Sequence, residues 1–416
     1  MPNNHLGTGF LSRYPALGFP LYRRYWVSSF GSVGGWQISA IAMVWLVYEL
    51  SGSTVDLGIL GAVTALPAII VTVAGGVIAD RYDKKNVLIV TTALNTGLLA
   101  LLTILAFLEL VTVWQIWLIA GVISLVSGVD WPTRQSFFPH LIDRSALLSA
   151  VALNSVLWQA TRMVLPALGG VLIAASGPTL VFAIATVGYF LNLVVIAGFR
   201  LTLTGEAGTS PWHQTLQGVR YILKHSFFRD LILLSYATML FLSSYMQLMP
   251  AFAELVNAGP TGFGLLMSAT GLGSILGTVV AGAAKLGQSY GKVMLLGGLT
   301  AVLFLAGFAL STHIGSYEFA LISCLLAASA ISIFLILSTT ALQAEVPEAL
   351  RGRVMGIHGI TYSLMPMGAL FTGAIATECG SPVALLMSLG VYLLILALIN
   401  YRAPNVRNIT EPVQSR

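Results

Sequence analysis

The chain has 416 residues, of which 57% are hydrophobic and 8% are charged, and its formal net charge is +5. Soluble domains carry charge on about 25% of their residues, and a soluble core of this length cannot hide so much apolar surface. This composition excludes an ordinary soluble domain and indicates a polytopic helical membrane protein.

Twelve apolar runs follow one another along the chain, and they are long enough to cross a bilayer core as α-helices. Several contain Gly and Pro, which membrane helices tolerate where neighbouring helices satisfy the freed backbone groups. We therefore predict an all-α membrane protein with twelve transmembrane helices. The predicted spans one to twelve are residues 26–50, 57–79, 87–108, 112–130, 149–175, 179–199, 230–253, 262–284, 292–311, 317–342, 353–377 and 382–401.

Lys and Arg residues are distributed unevenly among the gaps between these spans. All but one of the twenty lie before span one, in alternate gaps or on the first residue of the span that follows such a gap, or after span twelve, and the other gaps contain none. An excess of Lys and Arg marks the cytoplasmic side of a membrane protein. We expect both termini to be cytoplasmic, and the positive net charge then reflects topology and not a nucleic-acid partner.

The second half of the chain repeats a pattern of the first. A shift of 206 residues pairs Gly58 with Gly264 and Gly76 with Gly282, with further identities between spans two and eight. Such a repeat predicts two six-helix bundles with a substrate site between them. The expected segments are a cytoplasmic N-terminal segment 1–25, a first bundle 26–202, a linker 203–226, a second bundle 227–402 and a cytoplasmic tail 403–416.

The linker is the longest polar stretch between spans. Within it Trp212, Leu216, Val219 and Leu223 recur at helical spacing. This pattern predicts an amphipathic helix lying in the cytoplasmic membrane interface. A regulatory partner site is the alternative.

A charged hairpin lies between spans two and three and has the form G-x-x-x-D-R-x-x-K-K. It resembles the signature loop of the major facilitator superfamily, although Asp83 stands where the general pattern has glycine. The resemblance implies the major facilitator fold and a cytoplasmic latch whose aspartate meets the start of a helix from the other half. The matching residues are Gly76, Asp80, Arg81, Lys84 and Lys85.

Two further segments narrow the resemblance. Residues 130–139 include Asp130 and Arg134, and residues 351–356 include Arg351 and Arg353. Both segments resemble the branch of the superfamily that contains the enterobactin exporter and the macrolide efflux proteins. The resemblance implies a proton-driven exporter of amphipathic small molecules in the bacterial inner (plasma) membrane.

Elementary electrostatics gives these loops a role in the latch. A carboxylate at Asp80 is favoured beside the unpaired backbone N–H groups that begin span eleven, near Arg351. Asp130, at the inner end of span four, is expected to pair with Arg81 or Lys84 and to couple the latch to the first half. The alternative is that these charges only hold the topology.

Arg162 is the one Lys or Arg residue away from the ends of a span, near the middle of residues 149–175. A buried arginine costs at least ~2.5–3.5 kcal/mol, so its side chain is expected to face the protein interior or a watery cavity. It either attracts an anionic substrate in the cavity or is held structurally by polar neighbours such as Asn154 and Gln159. The sequence leaves both interpretations open.

Pro166, Gly169 and Gly170 follow Arg162 in the same span. They resemble the G-P-x-x-G-G motif of exporters in the superfamily, with Leu165 in place of the first glycine. The resemblance favours export over import. Proline and glycine are also ordinary in membrane helices, where they bend a helix or allow a close neighbour.

Other polar or aromatic residues deep in the spans are candidates for the cavity wall, because a large aromatic-lined pocket suits amphipathic cargo. Packing between helices is the alternative for each of them. These candidates are Trp36, Gln37, Tyr236, Tyr245, Gln247, His358 and Tyr362.

The function that follows is secondary active transport, as a proton-coupled efflux antiporter for siderophore-like or drug-like molecules. No Asp or Glu lies near the middle of a span, so the proton carrier is open between Asp130, Glu49, Glu254 and His358. Motifs for catalysis, metal binding or nucleotide binding are missing, so no enzyme activity, metal or cofactor is expected beyond a proton gradient. We expect a monomer in the bilayer. The alternatives are a lysophospholipid flippase of the same fold and a non-transporting sensor or assembly factor.

Overall fold

The computed structural model describes residues 14–201, 211–284 and 289–409, with side chains except those of 72–81, 211–215, 349 and 404. Every regular element in this part of the chain is helical. The first half contains α1 (Pro20–Ser51), α2 (Thr54–Arg81), α3 (Lys84–Phe107), α4 (Val113–Phe137) and α5 (Leu147–Ala197). A linker helix, α6 (Pro211–Lys224), precedes the second half. That half contains α7 (Ser226–Ala237), α8 (Met249–Leu255), α9 (Gly259–Ala283), α10 (Tyr290–His313), α11 (Tyr317–Glu345), α12 (Glu348–Gly359), α13 (Leu364–Cys379), α14 (Ser381–Arg402) and the short α15 (Pro404–Arg407).

The described residues include 11 helical stretches that are long and apolar enough to cross a membrane. The longest, α5, is interrupted at Gly177, whose φ of 72° and ψ of 174° are open only to glycine. Pro178 follows directly and begins the second arm. The two arms of α5 correspond to predicted spans five and six, so the fold is consistent with twelve spans.

Spans seven and eleven are broken near their middles. In span seven a π-helical turn, Thr238–Leu242, and a 3-10 turn, Ser244–Met246, separate α7 from α8. In span eleven the 3-10 turn Ile360–Ser363 separates α12 from α13. Membrane helices tolerate such breaks where hydroxyl side chains and neighbouring helices satisfy the backbone. Here the Thr372 hydroxyl of span eleven donates to the Ser244 hydroxyl of span seven, at 3.1 Å.

The linker helix α6 lies on the start of span eleven. Gly218 and Ile222 are buried, and a Cβ at Gly218 would lie 2.9 Å from the Cδ1 of Ile357. Leu216, Val219 and Leu223, which form part of the predicted apolar face, are exposed. An exposed apolar stripe is what a helix in the membrane interface presents to lipid.

Candidate functional site

The two halves meet closely where α2 packs against α13. A Cβ at Gly58 would lie 2.8 Å from the Cα of Leu370. The Thr54 hydroxyl donates to the Gly373 carbonyl at 2.9 Å and lies 3.1 Å from the Thr377 hydroxyl. Small residues therefore bring the two backbones into contact, as in other membrane helix pairs.

The first arm of α5 and helix α9 form the second close pair. A Cβ at Gly170 would lie 2.9 Å from the Cα of Gly264, and a Cβ at Gly264 would lie equally close to the Cα of Gly170. The backbone N–H of Ala167 donates to the Ser268 hydroxyl across this contact, at 2.8 Å. Of the predicted motif, Gly170 faces the other half and Gly169 faces α1, beside Ile38 and Ile41.

These two helix pairs reproduce the repeat found in the sequence. Gly58 and Gly264, which a shift of 206 residues aligns, each allow a helix of the opposite half to approach. Both contacts lie towards the membrane face where Thr54 begins α2, away from the basic hairpin. The halves are thus packed together on the side that the charge pattern predicts to be extracellular.

The predicted latch falls partly outside the described residues. The side chains of Asp80 and Arg81 and the surroundings of Gly76 are outside the described part, so the expected contact of Asp80 with span eleven stays a prediction. Lys84 and Lys85 open α3 and are half-buried. Asp83 caps this helix, because its carboxylate accepts from the backbone N–H of Asn86 at 2.9 Å. This helix cap is a structural reason for Asp83 at the position where the general pattern of the signature loop has glycine.

Two further latch residues, Arg351 and Arg353, lie in the first turns of α12. The guanidinium of Arg353 donates to the Gln217 side chain of the linker helix at 2.7 Å. Arg351 is exposed. The linker helix therefore covers part of the surface that the latch was expected to use.

Asp130 was expected to pair with Arg81, whose side chain lies outside the described residues, or with Lys84, with which it forms no pair. Its carboxylate accepts from Arg134 at 2.5 Å and from the Thr91 hydroxyl at 2.6 Å, and not from Lys84. Asp130 and Arg134 are four residues apart on α4, and this spacing places both side chains on one helix face. A buried arginine needs such a partner, and Arg134 is only 9% exposed.

Arg134 connects four spans instead of facing the other half. Its remaining nitrogens donate to Asn192 and Thr92, both at 3.1 Å. Asn192 in turn donates to the Ser28 hydroxyl at 2.9 Å. We name Ser28, Thr91, Thr92, Asp130, Arg134 and Asn192 the buried network. It ties α1, α3, α4 and the second arm of α5 together inside the first half.

Arg162 differs from Arg134 in its exposure and in its lack of a partner. Its side chain is exposed although it lies in mid-span, and no described residue forms a hydrogen bond or ion pair with it. Asn154 and Gln159, its expected structural partners, make no bond to it. Tyr245 and Tyr362 of the second half are close enough for electrostatic interaction with Arg162, and Tyr362 is 59% exposed. Arg162 therefore presents an unpaired charge where the halves face each other.

A cavity of about 190 Å³ opens in the first half beside the buried network. Trp36, Trp131 and Trp158 form its aromatic wall, and Asp130, Arg134 and Tyr189 also line it. The ring centroid of Trp158 lies 5.8 Å from that of Trp36 and 4.9 Å from that of Trp131. We name these three tryptophans the tryptophan wall. The sequence predicted Trp36, whereas Trp131 and Trp158 were missed because they come from different spans and share no periodic signal.

The remaining predicted cavity residues make contacts within the second half or are partly covered. Tyr236 donates to the Ile357 carbonyl at 2.6 Å. Tyr245 is buried and lies 3.7 Å from the sulfur of Cys324. His358 is 3% exposed, and its ring nitrogens lie 3.1 Å from the Thr339 hydroxyl and 3.5 Å from the Thr361 hydroxyl. Gln37 and Gln247 are half-buried. His358 thus has the contacts of a packing residue.

Comparison with known families settles what kind of protein carries this site. The family model described as transmembrane secretion effector, of the major facilitator type, matches residues 12–414. The chain belongs to this family. It is a multi-pass membrane transporter and not an enzyme.

Characterised relatives cover most of the chain. The staphyloferrin A transporter of Staphylococcus aureus is 24% identical over 84% of this chain and 87% of its own length. The enterobactin exporter EntS of Escherichia coli is 25% identical, covering 91% of each chain. The multidrug efflux pump Tap of Mycolicibacterium fortuitum is 23% identical over 89% of this chain and 93% of its own. These relatives support a role in the transport or efflux of small molecules.

Solved structures show the fold. A bacterial homologue of the lysosomal transporter Spinster, in an inward-facing and unoccupied conformation, superposes with a TM-score of 0.71. It covers 93% of this chain and 98% of its own, at 14% identity. A bacterial homologue of the iron transporter ferroportin, in an inward-facing state, gives a TM-score of 0.70 at 16% identity, covering 92% and 98%. The major facilitator fold predicted from the sequence is confirmed.

Proposed function

We propose that this protein exports an anionic amphipathic small molecule, siderophore-like or drug-like, from the cytoplasm in exchange for protons. Both termini lie in the cytoplasm in this proposal, and the two halves alternate access to a site between them. The relatives named for siderophore and drug export support the cargo class. The observation that carries the proposal is the unpaired Arg162 side chain between the halves.

The charge of Arg162 favours an anion for a physical reason. An ionised side chain in mid-membrane is costly unless it finds a partner or water. No carboxylate of the described residues pairs with Arg162, so a bound anion supplies the missing counter-charge. Tyr362, exposed beside it, offers a hydroxyl and an aromatic face to the same ligand.

Alternating access fits the two close helix pairs. They hold the halves together on the predicted extracellular side, so in this state Arg162 receives cargo from the cytoplasmic side. Separation of the α2–α13 and α5–α9 contacts then opens the opposite path. Packed interfaces between rigid bodies exchange between discrete arrangements and do not deform continuously.

Asp130 is the acid that we propose for proton coupling. It lines the cavity beside the tryptophan wall, and Arg134 is its partner. A proton on Asp130 removes the charge that holds Arg134, so proton binding weakens the buried network of the first half. A change of charge at a packed ion pair is a local event of the kind that biases a helix-packing equilibrium.

Transport by inside-out membrane vesicles tests this function. The probe is 2-naphthalenesulfonate, whose sulfonate stays ionised, and the matched cation is (2-naphthylmethyl)trimethylammonium. We expect vesicles that contain the protein to accumulate the anion in preference to the cation, and a protonophore to lower this uptake. Equal uptake of both probes, or uptake no greater than that of vesicles lacking the protein, contradicts the proposal.

A further inference from the structure

We infer that the cargo site includes an aromatic subsite, in which the tryptophan wall holds a planar ring while Arg162 holds an anionic group of the same molecule. The substrate class is therefore an aromatic ring linked over a short distance to an anionic oxygen group. This inference rests on the proposed function and specifies its cargo.

The spacing of Trp158 and Arg162 joins the two parts of this site. The residues are four apart on the first arm of α5, so their Cβ atoms lie about 5–6 Å apart on one face. Long helical side chains lean towards the helix N-terminus, which directs Arg162 towards Trp158. Trp158 is half-buried and Arg162 is exposed, so both reach open space.

The cavity beside the tryptophan wall is large enough for a ring. Its volume is about 190 Å³. An apolar cavity of about 150 Å³ is known to hold benzene. Indole faces attract other aromatic rings in offset or edge-to-face geometry, and the three indoles present both faces and edges.

The cavity is lined by one satisfied charged pair and by several hydrogen-bond donors that are unpaired within the described part of the chain. The charged pair at its base is already satisfied, because Asp130 and Arg134 bond each other and their neighbours within the buried network. The indole N–H groups of Trp36, Trp131 and Trp158 have no hydrogen-bond partner among the described residues. An indole N–H only donates.

Tyr189 adds a further free group. The Tyr189 hydroxyl and the Trp158 N–H form no hydrogen bond with a described residue. Among described residues that are not exposed, the one unpaired side-chain oxygen or nitrogen that is fully buried is Asn95 Oδ1. The Tyr189 hydroxyl and the Trp158 N–H are therefore not fully buried and reach open space. A wall with mainly free donors selects a ring that carries or adjoins oxygen acceptors, and it disfavours a ligand that brings only N–H groups.

Titration calorimetry on purified full-length protein tests the subsite. The probes are 2-naphthalenesulfonate, which has a ring and an anion, and cyclohexanesulfonate, which has the anion alone. The variants are Trp131→Leu and Trp158→Leu. The matched control is Trp114→Leu, because Trp114 lies exposed at the far end of the same helix as Trp131.

We expect the wild type to bind the aromatic anion more tightly than the aliphatic one. Each wall variant should weaken the aromatic anion about three- to tenfold, as expected for the loss of one aromatic pair, and leave the aliphatic anion unchanged. Trp114→Leu should change neither affinity. A loss that is equal for both probes, or no loss, overturns the subsite.

The two proposals fail in different ways. Equal affinity of the wild type for both anions contradicts the aromatic subsite and leaves anion export standing. Absence of binding for either anion contradicts anion recognition and with it both proposals. A melting curve of each variant detects a folding defect. Where a leucine variant does not fold, the affinity of Trp158→Phe for the aromatic anion is measured instead. This variant keeps a ring but loses the indole N–H, so its affinity shows whether ring stacking or the N–H donor binds the anion.

Discussion

Two arginines inside the first half show how the surroundings of one residue decide its role. Arg134 has its charge matched by Asp130 and its other nitrogens bonded to Thr92 and Asn192. Arg162 has no such partner in the described part of the chain. Since burial without a partner is costly, the first residue serves the fold and the second is available to a ligand.

Substitution of Arg134 should therefore damage stability. Arg134→Gln leaves Asp130 buried without its counter-charge, and we expect the free energy of unfolding to fall by about 3–5 kcal/mol. Arg144→Gln is the control, because Arg144 is exposed and such changes cost within about 0.5 kcal/mol. Thermal denaturation in detergent compares them, and equal melting temperatures would show that the network does not hold the first half together.

The sequence singled out Asp130, Arg134 and Arg162 but not all of their contacts. Asp130 was expected to pair with the hairpin, which stays a prediction for Arg81, whereas its spacing of four residues from Arg134 on an apolar helix already indicated the observed pair. The tryptophan wall needs the fold, since residues 36, 131 and 158 lie on separate helices and only tertiary packing joins them.

At the scale of elements, hydropathy located the spans because the bilayer imposes a length on each helix. The breaks in spans seven and eleven and the pairing of α2 with α13 were not predicted. They depend on which backbone groups neighbouring helices satisfy. The glycine repeat of Gly58 and Gly264 was visible in the sequence, and the structure shows that it marks helix contacts between the halves.

A bulky residue at one of these contacts should separate the halves. Gly264→Leu places a side chain against the backbone of Gly170, so the packed state should lose about 1–3 kcal/mol. The reporter is a disulfide between cysteines at positions 54 and 377, whose native hydroxyls lie 3.1 Å apart, with Cys324 and Cys379 replaced by alanine.

We expect Gly264→Leu to reduce the yield of this disulfide. Gly390→Leu is the control, because a Cβ at Gly390 in α14 meets nothing within 4 Å. An unchanged yield in Gly264→Leu would mean that the α5–α9 contact does not set the distance between α2 and α13.

The hairpin gives a second prediction at this scale. Asp80→Asn keeps the size of the side chain but removes the charge that a helix N-terminus favours, so the predicted latch should weaken by roughly 1 kcal/mol. Uptake of 2-naphthalenesulfonate by vesicles should fall about fivefold at an unchanged amount of protein in the membrane. Asp143→Asn, at an exposed loop residue, should have no effect. Full uptake by correctly inserted Asp80→Asn protein would rule out the latch.

In the whole molecule the halves are packed together at the predicted extracellular end, a cavity opens in the first half, and an unpaired charge lies between the halves. Alternating access requires that cargo be held at the point about which both halves move. The proposed role of Arg162 fits this requirement, since its carbonyl lies against Gly271 of α9 and its charge is close enough to interact with Tyr245 and Tyr362.

The most direct test of this account is the uptake of 2-naphthalenesulfonate by vesicles that contain Arg162→Lys or Arg162→Gln, with a melting curve for each purified variant. Arg162→Lys keeps the charge without the planar fork, so it should retain part of the uptake. Arg162→Gln should lose most of it while its melting temperature stays close to that of the wild type. Wild-type uptake of the anion by well-folded Arg162→Gln would contradict the central claim that Arg162 binds the cargo.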